Sequence, residues 1–289
     1  MVLLSHNGFD VDQKLASILD NVDVILTGHT HDAIPRAIKI KKTLLLSSGS
    51  HGKYLGRIDL KVNNGKVVDF SSNLIPIFSD VIQPDPEMKT LIDKIREPYE
   101  EECNRVVGEA ETLLYRRGNF GGPWDSVICD AIIQERDTEI SLSPGFRWGT
   151  TLLPGQKITI DDIYSQTSMN YPEVYRTEMN GETIKNLLED VCDNIFNPDP
   201  FFQQGGDMVR VGGMTYTCQP KETMGNRISD LKLSNGEKIE SQKKYTIGGW
   251  GSINPKVEGP PIYKLLEDYV SGEKSIKPKH NNPVKIEGI

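Results

Sequence analysis

Three short apolar runs alternate with polar segments in the first part of the chain, at Val2–Leu4, Val22–Leu26 and Thr43–Leu46. Runs of this length are typical of buried strands in an α/β sheet. Between the first two runs, apolar side chains recur at helical spacing over Val11–Leu19. This β-α-β order predicts a layered α/β sheet, and such sheets commonly bind ligands in the loops at the carboxyl ends of their strands.

The next elements are predicted by turn and helix-start signals. Tyr54–Val62 and Lys66–Ile77 flank Asn63-Asn64-Gly65, which predicts a β-hairpin. Asp85-Pro86 is a helix start with proline at the first helical position, and apolar side chains follow it at helical spacing. We expect Pro98 to kink or split that helix, because proline lacks a backbone donor and clashes with the preceding turn.

The remainder of the chain mixes helices with short strands. We predict helices at about 124–136, 181–195 and 260–271, and a hairpin turn at Asn235-Gly236. These elements predict an α+β domain. The sequence therefore divides into a first domain at 1–78, a linker helix at 79–110 and a second domain at 111–289. Because the chain begins directly in a predicted buried strand, we expect it to be part of a longer protein.

Composition narrows the class of protein without giving its activity. The formal net charge of −8 argues against general nucleic-acid binding, which requires a basic surface. No apolar run approaches the ~18–20 residues that span a bilayer. The four cysteines are widely spaced and form no CxxC pair, which argues against a zinc ribbon or a redox motif. Each cysteine is therefore interpreted as a small buried apolar side chain.

Three of the five histidines lie in loops that follow predicted strands. His6 follows the first strand, and His29 and His31 follow the second in the run Gly28-His29-Thr30-His31-Asp32. Neutral imidazole is the commonest side-chain ligand of transition metals, and the adjacent glycines allow the backbone to approach a metal closely. The pattern predicts metal ligation by these three histidines. His51 is interpreted as structural or as a support to the ligands, and His280 as solvated.

The two histidine runs together resemble the second half of a calcineurin-like metallophosphoesterase domain. The resemblance implies a two-metal centre in which His6 and His29 share one ion and His31 binds the other. The D-x-H and G-N-H-[DE] motifs of that family are absent from the sequence, so it contains no complete catalytic set. The ions implied are two divalent metals, with manganese first and zinc or iron as alternatives; three histidines alone suffice for one zinc ion.

The second part of the chain resembles the C-terminal domain of 5′-nucleotidases. The segments that carry this resemblance are Leu142–Arg147, Leu153–Thr159, Met179–Ile184 and Gly206–Gly213. Nucleotidases stack the base between two phenylalanines, one of which corresponds here to Met208. The other lies in a late G-G-D-G-F motif, where this sequence reads Gly248-Gly249-Trp250-Gly251-Ser252 and has no phenylalanine. The loss of each stacking contact weakens nucleobase binding by roughly 1–3 kcal/mol. The runs Phe146–Gly149 and Gly205–Arg210 are instead similar to the thiosulfohydrolase (SoxB) branch of the family.

This branch implies a hydrolase of the sulfur-oxidation (Sox) pathway that releases sulfate from a cysteine-bound sulfonate. Its partner is a sulfur-carrier protein (SoxYZ-like), and its location is the periplasm. Arg147 and Arg210 are candidates to bind the anion, because a planar guanidinium matches two oxygens at once. The glycines on either side of each arginine favour exposed loops over helix faces. Asp207, Trp148 and Met208 complete the predicted substrate-binding set, and Asp207 is expected either to orient one of these arginines or to contact the carrier protein. Two alternatives stay open: a 5′-nucleotidase or related nucleotide phosphohydrolase, and a fragment that acts only as a binding module.

Overall fold

The computed structural model describes residues 1–252, 257–279 and 283–288 and divides into two compact units. The first unit comprises Met1–Ile95 and Asn197–Gly206. The second comprises Arg96–Phe196 and Asp207–Ile289. The short segment Asn197–Gly206 thus belongs with residues that precede it by more than a hundred positions. The sequence-based boundaries at 78 and 110 assigned that segment to the second domain, and they stay a prediction.

The first unit contains a four-stranded sheet, one helix packed on it and a long hairpin. Its elements are β1 (Val2–Ser5), α1 (Phe9–Ile18), β2 (Val24–Thr27), β3 (Ile38–Ile40), β4 (Thr43–Ser47), β5 (Tyr54–Asn63) and β6 (Lys66–Pro76). The sheet order is β1-β2-β4-β3, in which β1, β2 and β4 are parallel and β3 is antiparallel to β4. The predicted strands, helix and hairpin are confirmed, whereas β3 was missed because three residues are too few to show a periodicity.

The core of the first unit is small, because one helix covers one face of a short sheet. Ala16 of α1 packs with Val22, Ile25 and Leu45. Burial of such side chains contributes about 25 cal/mol per Å² of apolar surface. On β1, an edge strand of the described sheet, Leu4 remains 83% exposed. The turn between β5 and β6 uses positive φ at Asn64 and Gly65, as an Asn-Gly hairpin requires.

The helix predicted after Asp85 is interrupted at Pro98. Helix α2 (Pro86–Arg96) ends just before a 3-10 turn (Glu97–Tyr99) that contains Pro98, and the short α3 (Glu100–Cys103) follows. The expected interruption at Pro98 is therefore confirmed. The apolar stripe of α2 is not buried: Met88, Leu91, Ile92 and Ile95 all remain exposed.

The described residues of the second unit form three small mixed sheets and four longer helices. Its remaining elements are β7 (Val106–Ala110), α4 (Pro123–Arg136), β8 (Ile140–Ser143), β9 (Lys157–Thr159), α5 (Ile160–Thr167), β10 (Tyr175–Asn180), α6 (Gly181–Phe196), β11 (Arg210–Gly212), β12 (Met214–Cys218), β13 (Ile228–Leu233), β14 (Lys244–Gly249), α7 (Ile262–Glu273), β15 (Ser275–Ile276) and β16 (Val284–Ile286). The sheet orders are β10-β14-β8-β11, β13-β12-β16 and β15-β7-β9. The three predicted helices are confirmed as α4, α6 and α7, and α5 was missed.

Helix α4 is at the centre of the second unit. Trp124, Ile128 and Ile132 along it are fully buried, in a cluster shared with α5 and α7. Its start is fixed by Pro123 at the first helical position and by Asp125, whose Oδ2 accepts a hydrogen bond from the Gly122 amide at 2.9 Å. The chain as a whole is mixed α/β, in agreement with the predicted class. Among the described residues no helix is long and apolar enough to cross a membrane.

Candidate functional site

Three parallel strands of the first unit end side by side. Ser5 of β1 is paired with Thr27 of β2, which is paired with Ser47 of β4. The loops that follow these strands carry His6, then His29 and His31, then His51. Because the carboxyl ends of parallel strands share one edge of a sheet, the topology brings the four imidazoles to that edge. His6, His29 and His31 lie in loops after strands, as the sequence predicted, and the strand order brings the loop of His51 to the same edge of the sheet.

Local hydrogen bonds hold the first two of these loops. Ser5 Oγ donates to Asp12 Oδ1 at 2.7 Å and accepts from Asn7 Nδ2 at 3.0 Å. The Gly28 amide donates to the Ser5 carbonyl at 3.0 Å. A Cβ atom at Gly28 would lie only 2.9 Å from His6 Nδ1, so the close approach of the two loops requires glycine there.

The imidazoles form two pairs. The ring centroids of His6 and His29 are 5.2 Å apart, and those of His31 and His51 are 5.8 Å apart. His29, His31 and His51 have φ values of 76°, 59° and 61°. Such left-handed conformations cost a non-glycine residue on the order of 1 kcal/mol, and observed strain of this kind clusters at functional sites. His51 is thus placed as a neighbour of His31, a relation that Ser50-His51-Gly52 after an apolar run could have suggested.

His29 is oriented by the segment Asn197–Gly206 of the same unit. Its Nε2 lies 3.2 Å from the Gln204 carbonyl oxygen. A carbonyl only accepts, so this hydrogen bond requires a proton on Nε2 and leaves the Nδ1 lone pair of a neutral ring available to a metal. The segment itself is anchored on α1, where Lys14 forms an ion pair with Asp199 and its Nζ lies 4.1 Å from the centre of the Phe201 ring.

The donor chemistry of the two pairs fits transition metals, but the number of donors is too small for a complete centre. Imidazole nitrogens suit manganese, iron and zinc, and each pair supplies two of them. Within residues 1–252, 257–279 and 283–288, no group of three or more His, Cys, Asp or Glu side chains is arranged to hold a metal ion. His280 lies outside the described residues. The predicted ligation by His6, His29 and His31 therefore stays a prediction.

In the second unit, Arg147 and Asp207 meet where two loops touch. Arg147 Nε lies 3.1 Å from Asp207 Oδ2, and the Arg147 side chain is 20% exposed. A Cβ atom at Gly145 would lie 2.7 Å from the Asp207 carbonyl oxygen, so glycine permits this contact between the loops. Burial raises the pKa of Asp207, and the positive charges of Arg210 and Arg147 oppose that shift. The ion pair is the contact that an arginine-orienting role for Asp207 requires, and its part in substrate binding stays a prediction.

Arg210 departs from the sequence-based expectation. The flanking glycines predicted an exposed loop, whereas Arg210 begins β11 and its side chain is only 2% exposed. Its Nη2 donates to Asp207 Oδ2 and to the Gly118 carbonyl, each at 2.9 Å. The three-residue strand pairs with β8, which turns this side chain inward where two carboxylates neutralise it. Arg210 is consequently a buried structural arginine here, not an exposed anion ligand.

Sequence analysis missed two residues of this buried charge cluster. Arg116 Nε donates to Asp125 Oδ1 at 2.8 Å, and the two side chains are 0% and 3% exposed. The other nitrogens of Arg116 donate to the Gln166 and Pro144 carbonyls at 2.7 and 3.1 Å. Burial lowers the pKa of Arg116, and Asp125 opposes the shift. The position of Asp125 in the first turn of a predicted helix, shortly after Gly121-Gly122-Pro123, was the one local signal available.

The remaining predicted substrate residues differ in accessibility. Trp148 is half-buried and stacks on Phe146 with ring centroids 3.8 Å apart, so it borders the loop of Arg147. Met208 is fully buried in the hydrophobic core with Ile140 and Val211. Trp250 is also buried, and its Nε1 donates to Ser143 Oγ at 2.8 Å. The position of Met208 in the core, just before β11, does not support the prediction that it contacts substrate.

Comparison with known proteins places this second unit in a family. Residues 106–274 match the 5′-nucleotidase, C-terminal domain family model. The chain belongs to the 5′-nucleotidase C-terminal domain family. The family region begins with β7 and extends past the end of α7, so it includes Arg116, Asp125, Arg147, Asp207 and Arg210.

Individual relatives of this 5′-nucleotidase-family chain are hydrolases. It is 33% identical to the sulfate thiohydrolase SoxB of Thermus thermophilus, solved in complex with glycerol, with a TM-score of 0.94 over 100% of this chain and 54% of that one. It is 25% identical to the trifunctional nucleotide phosphoesterase YfkN of Bacillus subtilis, over 83% of this chain and 17% of that protein. It is 26% identical to the metallophosphoesterase YunD of the same bacterium, over 86% of this chain and 54% of that protein.

The chain thus spans about half the length, or less, of these relatives. The resemblance that its motifs indicated, to the SoxB branch of the 5′-nucleotidase family, is confirmed by these similarities. Relationship to metallophosphoesterases implies metal ions, in agreement with the donor chemistry of the histidine pairs.

Proposed function

We propose that this chain is part of a SoxB-type thiosulfohydrolase, which hydrolyses a cysteine-bound sulfonate on a sulfur-carrier protein in the periplasm. In this reaction the water oxygen bonds to the sulfonate sulfur, the sulfur–sulfur bond breaks, and sulfate and a protein-bound thiol result. The observation that carries the proposal is the similarity to the Thermus thermophilus sulfate thiohydrolase, at 33% identity and a TM-score of 0.94 over the whole chain.

Arg147 is the residue we assign to the sulfonate. It is the most exposed arginine of the cluster that Asp207 joins, at 20% against 2% for Arg210. Asp207 holds the guanidinium through Nε, which reduces the rotamer entropy lost when the anion binds. A planar guanidinium donates two parallel hydrogen bonds to an oxyanion. Arg210 and Asp125 act behind it, by keeping Asp207 in place.

His6, His29 and His31 are assigned to the metal centre, with His51 next to His31. These residues would hold part of a two-ion centre, which would supply polarisation of the oxyanion and a hydroxide nucleophile near neutral pH. The Gln204 carbonyl fixes the His29 ring by accepting from Nε2, as carbonyl partners of ligating histidines generally do. The structural role of this chain is thus to orient the imidazoles before any ion binds.

A nucleotide phosphohydrolase is the second candidate, and the family model and the similarity to a nucleotide phosphoesterase favour it. The positions at which nucleotidases stack a base weigh against it. Met208 has no aromatic ring and is fully buried, and the late motif has no phenylalanine; its Trp250 is buried and offers no ring face to a base. A third possibility is that the isolated chain binds the carrier protein without turnover.

Activity assays with two different substrates distinguish these candidates. The chain alone, and the chain joined to the portion of SoxB that it does not cover, are loaded with manganese and assayed with an S-sulfonated carrier peptide and with AMP. We expect sulfate release by the joined protein and negligible phosphate release. Phosphate from AMP without sulfate would overturn the proposal in favour of the nucleotidase. Carrier binding without turnover by either protein would favour the binding module.

Two variants test the assignment of Arg147. Arg147→Ala should raise KM for the sulfonated peptide by roughly tenfold or more, since a charge-assisted hydrogen bond contributes about 1.5–3 kcal/mol. Arg147→Lys should restore only part, because lysine cannot bind an anion with two parallel donors. Arg176→Ala is the matched control, since that arginine is bonded to the Arg136 and Asp137 carbonyls elsewhere in the unit. Equal KM values for the Arg147 variants and the control would contradict the role.

A further inference from the structure

Two cysteines that are 26 positions apart in the sequence meet in the core of the second unit. Cys192 lies on α6 and Cys218 at the end of β12, and their Sγ atoms are 3.6 Å apart. Both side chains are fully buried. The other two cysteines are elsewhere: Cys103 is half-buried at the end of α3, and Cys129 is buried on α4. The sequence did not predict this contact, because the cysteines show no characteristic spacing.

The separation of the two sulfurs is that of van der Waals contact. A disulfide has a sulfur–sulfur distance of about 2.05 Å, so bond formation requires an approach of about 1.5 Å. Side-chain rotation and a small shift of the helix can supply this, because both residues already pack in one cluster with Leu188 and Tyr216. Cysteines whose side chains point apart would need a movement of the backbone instead.

The contact also prepares one sulfur for exchange chemistry. The hydrogen bond from the Cys192 thiol lowers the pKa of Cys218, although burial acts in the opposite direction. The same contact raises the pKa of Cys192. Removing the first proton from the pair is therefore easier than removing the second. The thiolate is the nucleophile in disulfide exchange, so Cys218 is the attacking residue.

We propose that Cys192 and Cys218 form an intramolecular disulfide, made by exchange with a low-molecular-weight disulfide or a thiol–disulfide oxidoreductase. The Cys218 thiolate attacks one sulfur of the oxidant and expels a thiolate, which gives a mixed disulfide. The Cys192 sulfur then attacks Cys218 Sγ and expels the second thiolate. The two protein protons pass to the two leaving groups, so two protein thiols are oxidised and one disulfide is reduced to two thiols.

The burial of both sulfurs determines when exchange occurs. It takes place during local opening that admits the oxidant while the two sulfurs stay in contact, and burial afterwards shields the bond from reductants. The crosslink closes a loop that contains Gln204, which accepts from His29, and also Asp207 and Arg210. Closing this loop reduces the conformational entropy of the unfolded chain. It also limits the motion of the segment that carries the Gln204–His29 hydrogen bond and the Asp207–Arg210 ion pair.

The test is a thiol map of the full chain before and after oxidation. The protein is reduced with a phosphine, freed of reductant, treated with diamide or with glutathione disulfide, and alkylated in denaturant. We expect loss of two titratable thiols, a mass decrease of about 2 Da before alkylation, and one crosslinked peptide pair joining Cys192 to Cys218. Four alkylated cysteines, or a crosslink between any other pair, would overturn the proposal.

Variants add a readout that does not depend on peptide mapping. In a Cys103→Ser background, which prevents crosslinks between molecules, oxidation should raise Tm by about 5–10 °C. The further change Cys192→Ser should abolish that shift, whereas Cys129→Ser should leave it unchanged. A Tm that responds equally to oxidation in all three variants would show that another group is responsible. The thiol map on the unaltered chain decides the question even where a variant fails to fold.

Discussion

Replacement of Asp125 by asparagine is the sharpest test of how the second unit is held together. This carboxylate accepts from Arg116 Nε at 2.8 Å through Oδ1, and its Oδ2 lies 3.5 Å from Arg210 Nε. It also accepts from the Gly122 amide at 2.9 Å, where α4 begins. Asp125→Asn keeps the shape of the side chain but removes its charge and one acceptor oxygen.

The expected cost follows from the burial of the partners. The side chains of Arg116 and Arg210 are 0% and 2% exposed, so the charge that Asp125 neutralises cannot be hydrated instead. Removing one member of a buried ion pair typically costs 3–5 kcal/mol. A weakened cap at the start of α4 adds up to about 1 kcal/mol. For a unit of this size each kcal/mol corresponds to about 2–4 °C, so we expect Tm to fall by about 10 °C.

Thermal unfolding followed by circular dichroism measures this change. The matched control is Asp161→Asn, because Asp161 pairs with Arg96 at 2.9 Å while both side chains are 46% exposed. Exposed pairs contribute about 0–1 kcal/mol, so the control should shift Tm by no more than a few degrees. If Asp125→Asn lowered Tm no more than the control, the view of this cluster as a buried framework of the unit would be wrong.

Three further predictions concern the edge of the first sheet, the orientation of His29 and the titration of Asp207. Leu4→Lys should reduce self-association in light scattering, because Leu4 is 83% exposed on an edge strand and lysine discourages edge pairing; unchanged association would contradict this. Gly205→Ala should weaken zinc binding by roughly tenfold or more in calorimetry, because the added Cβ would overlap His29 Nε2. Gly206→Ala is the control, since its φ of 88° is as strained as the 76° of Gly205 but its Cβ would meet nothing within 4 Å. An equal loss of zinc affinity in both variants would refute the argument. Burial raises the pKa of the Asp207 carboxyl above its ordinary value of 3.8, so this carboxyl binds a proton more readily in the folded chain than in the unfolded chain. The stabilisation that comes from protonated Asp207 is therefore lost as pH rises from 3.8 through the raised pKa. Asp207→Asn should flatten this part of the stability–pH curve in urea titrations, and an unaltered slope would count against the shift.

The amino-acid sequence by itself determined the elements whose signals are local. Apolar runs gave β1, β2 and β4, proline and helix-start signals gave α2 and its interruption, and Asn64-Gly65 gave the hairpin turn. The loop positions of His6, His29 and His31 followed from these strands. Local signals suffice in such cases because backbone conformational preferences and the periodicity of side-chain burial act over a few residues.

Tertiary structure alone decided which distant groups meet and which side chains face inward. Strand order placed His51 beside His31, and packing on α1 brought the segment Asn197–Gly206 to His29. Pairing of β11 with β8 buried Arg210, which its glycine-rich surroundings had suggested was exposed. Sheet order, strand register and contacts between residues far apart in the chain depend on the free energy of the whole core, and no local pattern carries that information.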